Sequence, residues 1–167
     1  VADMKLSQTE RLILWNQYEI LKGTNPEEID IYEKNQEILS NGYELLYQDL
    51  NRSIDPDPLS AVVCMEVLDI LSMYRAITFS SQRLKHEPTG LYAQFEGFDG
   101  NSSSGHYGFA KFVRRTEKRY EELEERPDNS HSGTSLAAYR AMLKVWESLG
   151  KNYKLAVSEI DSIVSAR

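Results

Sequence analysis

The sequence predicts an all-α protein: one helical bundle of about six or seven helices with a long apolar helix at its centre. Three observations carry that expectation. Apolar residues recur three and four apart in segment after segment. Helix start and stop residues punctuate those segments. Only Leu91–Phe95 alternates in the manner of a strand, and a single strand cannot make a sheet.

The elements follow in order. Ser7-Gln8-Thr9-Glu10 is a capping box, and the apolar face of RLILWNQYEILK runs on to a stop at Gly23. Asn25-Pro26-Glu27-Glu28 reads as N-cap, first-turn proline and first-turn acids of a second helix, which reaches about Asn41 and breaks at Gly42. YELLYQDLN is a short third helix, and Ser53–Pro58, with two prolines alternating with aspartates, is a connection. From Leu59 to about Lys85 the pattern is apolar almost all round: Met65, Leu68 and Phe79 lie off the stripe marked by Leu59, Val62, Val63, Val67, Ile70, Leu71, Tyr74 and Ile77. Such a helix belongs at a bundle centre or in an oligomer interface. Pro88 ends it. A helix is then expected from about Asn101 to Leu123, a polar loop over Arg126–Gly133, an amphipathic helix through SLAAYRAMLKVWESL closed by Gly150, and a last helix through VSEIDSIVSA. All five prolines fall in or beside the connections.

Length and composition agree with one domain over residues 4–167, the three residues before Met4 reading as an artificial extension. Of the 167 residues, 41% are hydrophobic and 27% charged, as in globular proteins. With 19 basic and 26 acidic side chains the net charge is −7, which repels a phosphate backbone unless one face is locally basic. Cys64 is the single cysteine, so an internal disulfide and a thiolate cluster are excluded; in AVVCM it reads as a small core residue. No run approaches a membrane span and no leader pattern precedes the first helix, so a cytoplasmic protein is expected.

Several chemistries are disfavoured by spacing. Gly100-Asn-Ser-Ser-Ser-Gly105 has the two glycines of a phosphate-binding loop, but His106-Tyr107 stand where the lysine and the metal-binding hydroxyl are needed. The segment reads instead as helix-entry punctuation, with Asp99 as cap. None of the three histidines follows a glutamate by three residues, so the di-iron bundle signature is absent. Asp128 and His131 lie in the polar loop and read as solvated. Glu66 and Asp69 share a helix face and read as a polar stripe paired with Arg75 or with another helix. No catalytic residue, metal ligand or cofactor site is singled out. The candidate anion or partner site is Asn101 at a helix start, followed by Lys111, Arg114, Arg115 and Lys118 at i, i+3, i+4 and i+7. The plainer reading of those cations is a solvated face balanced by Glu117, Glu121 and Glu122.

RLIL-x-NQY (Arg11–Tyr18), GY-x-L (Gly42–Leu45), LDI-x-x-MY (Leu68–Tyr74), F-x-GFDGN (Phe95–Asn101), YGFAKF (Tyr107–Phe112), YRAML-x-VW (Tyr139–Trp146) and EI-x-x-I (Glu159–Ile163) together resemble the YfbU family of bacterial proteins. The resemblance implies an all-helical fold and self-association, and it carries over no catalytic residue. Two departures are local: Ser102-Ser103-Ser104 follow GFDGN where relatives tend to be acidic, and Ala156 stands where a serine cap is expected.

The leading functional expectation is a non-enzymatic, self-associating helical module, with room for a further protein partner and none for a membrane. An anion- or small-molecule-binding protein, or an enzyme, built on the GFDGN loop and the basic helix is the alternative. Nucleic-acid binding through the same cations ranks below both.

Overall fold

The computed structural model describes residues 4–50, 54, 55 and 57–166. Val1–Asp3, the end of the third predicted helix beyond Leu50, and Ser53 and Pro56 of the predicted connection lie outside the described residues. The fold is all-α, with seven α-helices and no strand among the described residues; the only β feature is an isolated bridge between Phe98 and Asn129. The chain forms two compact units, Val1–Pro58 and Leu59–Arg167.

The N-terminal unit is a helical hairpin with a short third helix. In α1 (Gln8–Thr24) the capping box forms as expected: Glu10 N–H donates to Ser7 Oγ at 3.3 Å, and Ser7 N–H donates to the Glu10 carboxylate at 2.7 Å. Asn25 does not cap the next helix with its side chain. Its amide donates to Tyr32 Oη at 3.1 Å, and a 3₁₀ turn over Pro26–Glu28 leads into α2 (Ile29–Asn41). Gly42, at φ 71°, closes α2 with its N–H on Ile38 O at 3.0 Å, the left-handed stop that its type permits. A 3₁₀ turn over Glu44–Leu46 precedes α3 (Tyr47–Leu50). Tyr32, Ile38, Leu39 and Tyr47 are the unit's buried apolar residues, and α1 has no buried residue.

The C-terminal unit surrounds α4 (Ala61–Leu84), which Ser60 caps by accepting from Val63 N–H at 3.3 Å and Lys85 ends in a left-handed conformation. The expected central helix is therefore real, but it is buried on fewer sides than its composition suggests. Val67, Ile70, Leu71, Met73, Tyr74, Ala76 and Ile77 are buried, while Val62, Met65 and Phe79 are exposed. Cys64 is half-buried and free. α5 (His106–Lys111), α6 (Ser135–Ser148) and α7 (Val157–Val164) pack against α4, with Phe95, Phe98 and Tyr139 joining Tyr74 in an aromatic cluster. At the start of α7 Ala156 offers no side-chain acceptor, and Glu159 supplies the other half of the capping box by accepting from Ala156 N–H at 2.7 Å.

The continuous helix expected over 101–123 is not formed. Asp99 caps no helix; its carboxylate closes a local turn by accepting from Asn101 N–H at 3.0 Å. α5 begins at His106, after Gly105 at φ 78°. It widens into a π-helical turn over Phe112–Thr116, and left-handed residues at Lys118 and Tyr120 then end it before a 3₁₀ turn at Glu121–Leu123.

Candidate functional site

The GFDGN segment and the polar run after Arg126 are partners. Phe98 N–H donates to Asp128 O, Ser130 N–H donates to Phe98 O, both at 3.0 Å, and Gly100 N–H donates to Asn129 Oδ1 at 3.0 Å. The approach is so close that a Cβ on Gly97, which sits at φ +83°, would collide with the Asp128 backbone and come within 2.8 Å of Asn129 N. Gly97 thus serves backbone-to-backbone packing, and Gly100 leaves room for the Asn129 side chain.

The five candidate site residues do not form one basic face. Asn101 is exposed in its turn. Lys111 is exposed, with its ammonium 5.7 Å from the Tyr107 ring centroid, and Lys118 is exposed in the left-handed bend. The π-helical turn carries Arg114 inward, where its side chain is 1% exposed. Its guanidinium donates to Leu123 O at 2.6 Å, Arg126 O at 2.7 Å, Pro127 O at 3.1 Å and Asp128 Oδ1 at 2.7 Å. Burial pulls its pKa down, and the Asp128 carboxylate opposes that shift. Arg115 donates to the same carboxylate at 3.0 Å and to Glu124 O at 2.9 Å. The counter-charge is thus Asp128 of the polar loop, not the glutamates of the same segment, and Asp128 is no solvated residue.

A second polar cluster centres on Glu66. Arg140 of α6 grips both carboxylate oxygens, at 2.7 and 2.9 Å, and His106 Nε2 lies 2.7 Å from Oε2. His106 is buried, and its Nδ1 is 2.9 Å from Ser104 Oγ. The Arg140 guanidinium and, after it, His106 hold the Glu66 carboxyl down at about 2 against the opposing effect of burial. Asp69 pairs with Lys151 at 2.7 Å, and Arg75 pairs with Glu122 instead of either acid on α4. Glu66 pairs with another helix as expected, through Arg140 of α6, whereas the partner of Asp69 is Lys151 in the turn after α6.

A cleft of about 670 Å³ lies beside the last turns of α4, over Ile77, Phe95 and Leu123. Its ionic rim is largely committed within the unit: Glu122 to Arg75, His86 to Asp161, and Arg126 to Glu96.

The N-terminal unit differs from this pattern. Its polar contacts fasten one face of α1 to α2: Arg11 Nη1 donates to Leu39 O at 2.9 Å, and Gln36 Nε2 donates to Trp15 O at 3.2 Å and Glu19 Oε2 at 2.8 Å. The opposite face carries Leu12 at 59%, Ile13 at 53%, Ile20 at 59% and Leu21 at 38% exposure. Four large apolar side chains on one helix exceed scattered surface hydrophobics. The sequence reading placed the surplus apolar surface on α4, whereas α1 holds the more continuous share of it.

Fold and site define an all-helical protein whose polar clusters brace the chain and whose exposed feature is an apolar helix face. The YfbU domain matches residues 4–166, nearly the whole length, and the chain belongs to the YfbU family. No helix among the described residues is long and apolar enough to cross a membrane.

Proposed function

We propose that this YfbU protein is a non-enzymatic, self-associating module that pairs through the outer face of α1. The observation that carries the reading is that α1 spans 17 residues, buries none of them, and exposes Leu12, Ile13, Ile20 and Leu21. A unit of this size rests on a thin core, and covering those four side chains adds apolar burial that the hairpin lacks. The polar clusters around Arg114 and Glu66 fit a supporting role, since their charged groups are already partnered within the fold.

Light scattering and sedimentation across a wide concentration range test the reading. The wild-type chain is expected to associate, and the double change Ile13→Lys and Ile20→Lys to yield monomer with an unchanged circular dichroism spectrum. Val62→Lys with Met65→Lys, on the exposed part of α4, is expected to leave association intact. A wild-type monomer at every concentration, or dissociation by the α4 pair and not by the α1 pair, overturns it.

A further inference from the structure

Four of the five mirrored pairs on the exposed face of α1 match when it is read in either direction. Its outward positions include Thr9, Leu12, Ile13, Asn16, Gln17, Ile20, Leu21 and Thr24, three and four apart and all exposed; Glu10 and Gly23, also exposed on this arc, are the one pair of positions that does not match. About a midpoint between Asn16 and Gln17, Thr9 mirrors Thr24, Leu12 mirrors Leu21, Ile13 mirrors Ile20, and one side-chain amide mirrors the other. A helix laid antiparallel on its own copy meets the residues of its face in reverse order. We infer that α1 is the seam of an antiparallel two-fold dimer, with its axis between Asn16 and Gln17 and a second copy of this chain as the occupant. This rests on the self-association proposed above and fixes its geometry.

The symmetry is that of an isologous contact, in which one patch must complement itself under a two-fold rotation. In this register Ile13 packs on Ile20, twice, Leu12 and the copy's Leu21 lie level with each other on the two flanks of the seam, and the threonines close the two ends. The four amides contributed by Asn16 and Gln17 gather at the axis. Each has both donors and an acceptor, so they satisfy one another only when the register is right; a polar residue inside an apolar seam selects one pairing at a cost in affinity. The antiparallel arrangement also sets each helix's positive N-terminal end beside the other's negative C-terminal end, which a parallel pairing does not. A groove of about 530 Å³ flanks the N-terminal half of the stripe, lined by Thr9, Leu12 and Trp15 of α1 and by Leu39 of α2. The second copy brings Leu21 and Thr24 to that end. A seam of one helix per copy is smaller than the roughly 800 Å² per partner of a standard stable interface, so the pairing is expected to be concentration-dependent.

Cross-linking reads the register. In the full chain carrying Cys64→Ser, single changes Asn16→Cys, Leu12→Cys and Leu21→Cys are treated with a short bis-maleimide. Asn16→Cys sits beside the axis and is expected to link to itself. Leu12→Cys alone is expected not to link, because its copies lie roughly 13 Å apart along the seam at the helical rise. A mixture of the Leu12→Cys and Leu21→Cys chains is expected to give the mixed dimer. Asn16→Ile with Gln17→Ile is expected to tighten association about tenfold and to loosen the register, so that Leu12→Cys now also links to itself. Leu12→Cys linking to itself in the parent background, with no product in the mixture, overturns the antiparallel register while leaving self-association through α1 standing. A chain that is monomeric by sedimentation and gives no product with any of the three cysteines overturns both.

Discussion

Arg11 and Arg114 put the same side chain to different use in the two units. Arg11 is half-buried and gives one N–H to a single carbonyl, Leu39 O, at 2.9 Å. Arg114 is buried and gives its guanidinium to three carbonyls and a carboxylate. The N-terminal hairpin is fastened by isolated polar contacts around a few apolar residues, with one helix face left open. The C-terminal unit wraps its core completely enough to bury a cation, and must then satisfy that cation with the loop at 123–128. A buried charge is tolerable only where enough partners converge on it. Each unit holds one tryptophan, Trp15 in the first and Trp146 in the second, so fluorescence of the Trp15→Phe and Trp146→Phe proteins reports each unit separately.

The contrast makes its largest prediction at these arginines. Arg114→Met removes four hydrogen bonds of a buried side chain, leaves Pro127 O without a donor and Asp128 to Arg115 alone, and is expected to cost about 2–4 kcal/mol in urea unfolding followed at Trp146. Arg11→Met, followed at Trp15, is expected to cost about 1 kcal/mol, the value of one net hydrogen bond. Arg115→Met, which removes a more exposed partner of the same carboxylate, is expected to cost less than about 1 kcal/mol. Equal losses at Arg114 and Arg115 would remove burial as the explanation.

The same asymmetry reaches into pH. Glu66 ordinarily titrates near 4.5 and is held at about 2 in the folded C-terminal unit by Arg140. Its stabilising contribution is complete above about 4.5 and is lost as the pH falls from there toward 2, a loss of no more than roughly 3 kcal/mol. Glu19, the hydrogen-bonded acid of the N-terminal hairpin, is also shifted downward, first by Gln36, but it is fully exposed. Acid titration followed at Trp146 should therefore show the steeper decline between those values, and Glu66→Gln should flatten it. An unchanged slope in Glu66→Gln would show that another group carries the acid sensitivity.

Much of this was legible in the sequence, and the failures share a cause. Ser7 with Glu10 and Gly42 announce helix ends by their own chemistry, and the structure uses them so. The segment 101–123 keeps a helical period throughout, and nothing in its composition marks the left-handed bends at Lys118 and Tyr120. Its break depends on Arg114 meeting carbonyls about ten residues further along, a tertiary fact. The apparent basic stripe failed with it, because i, i+3, i+4, i+7 describes one face only while the helix stays regular. The partners of Glu66 were equally hidden: His106 lies 40 residues away and Arg140 74. The mirrored face of α1 was written in the sequence all along. The more apolar α4 drew attention from it, and only the packing of α2 shows which side of α1 is left uncovered.

Glycine sharpens the comparison at smaller scale. Gly97→Ala in the C-terminal unit forces a methyl group into the Asp128 backbone at φ +83°, and neither loop can retreat without losing the paired contacts of Phe98 with Asp128 and Ser130. A cost of about 2 kcal/mol or more is expected in the Trp146 transition.

Gly23→Ala in the N-terminal unit runs the other way. Gly23 lies inside α1, one residue before its end, and a Cβ there meets nothing within 4 Å. Its φ is not in the left-handed range, so alanine fits the backbone already present. The sequence marks this glycine as the stop of α1, yet the helix continues through Thr24 and the turn is made at Asn25. It therefore contributes no turn geometry and retains only its entropic cost. Replacing it should raise the stability of the hairpin by about 0.5–1 kcal/mol, seen as a later urea midpoint at Trp15 with the Trp146 transition unmoved. Position 23 lies on the outward arc two turns from Asn16, where a single methyl group adds little surface, so sedimentation should show association strengthened slightly or unchanged. A destabilised hairpin would mean that α1 uses Gly23 as a true stop, and would shorten the seam by the turn that carries Thr24.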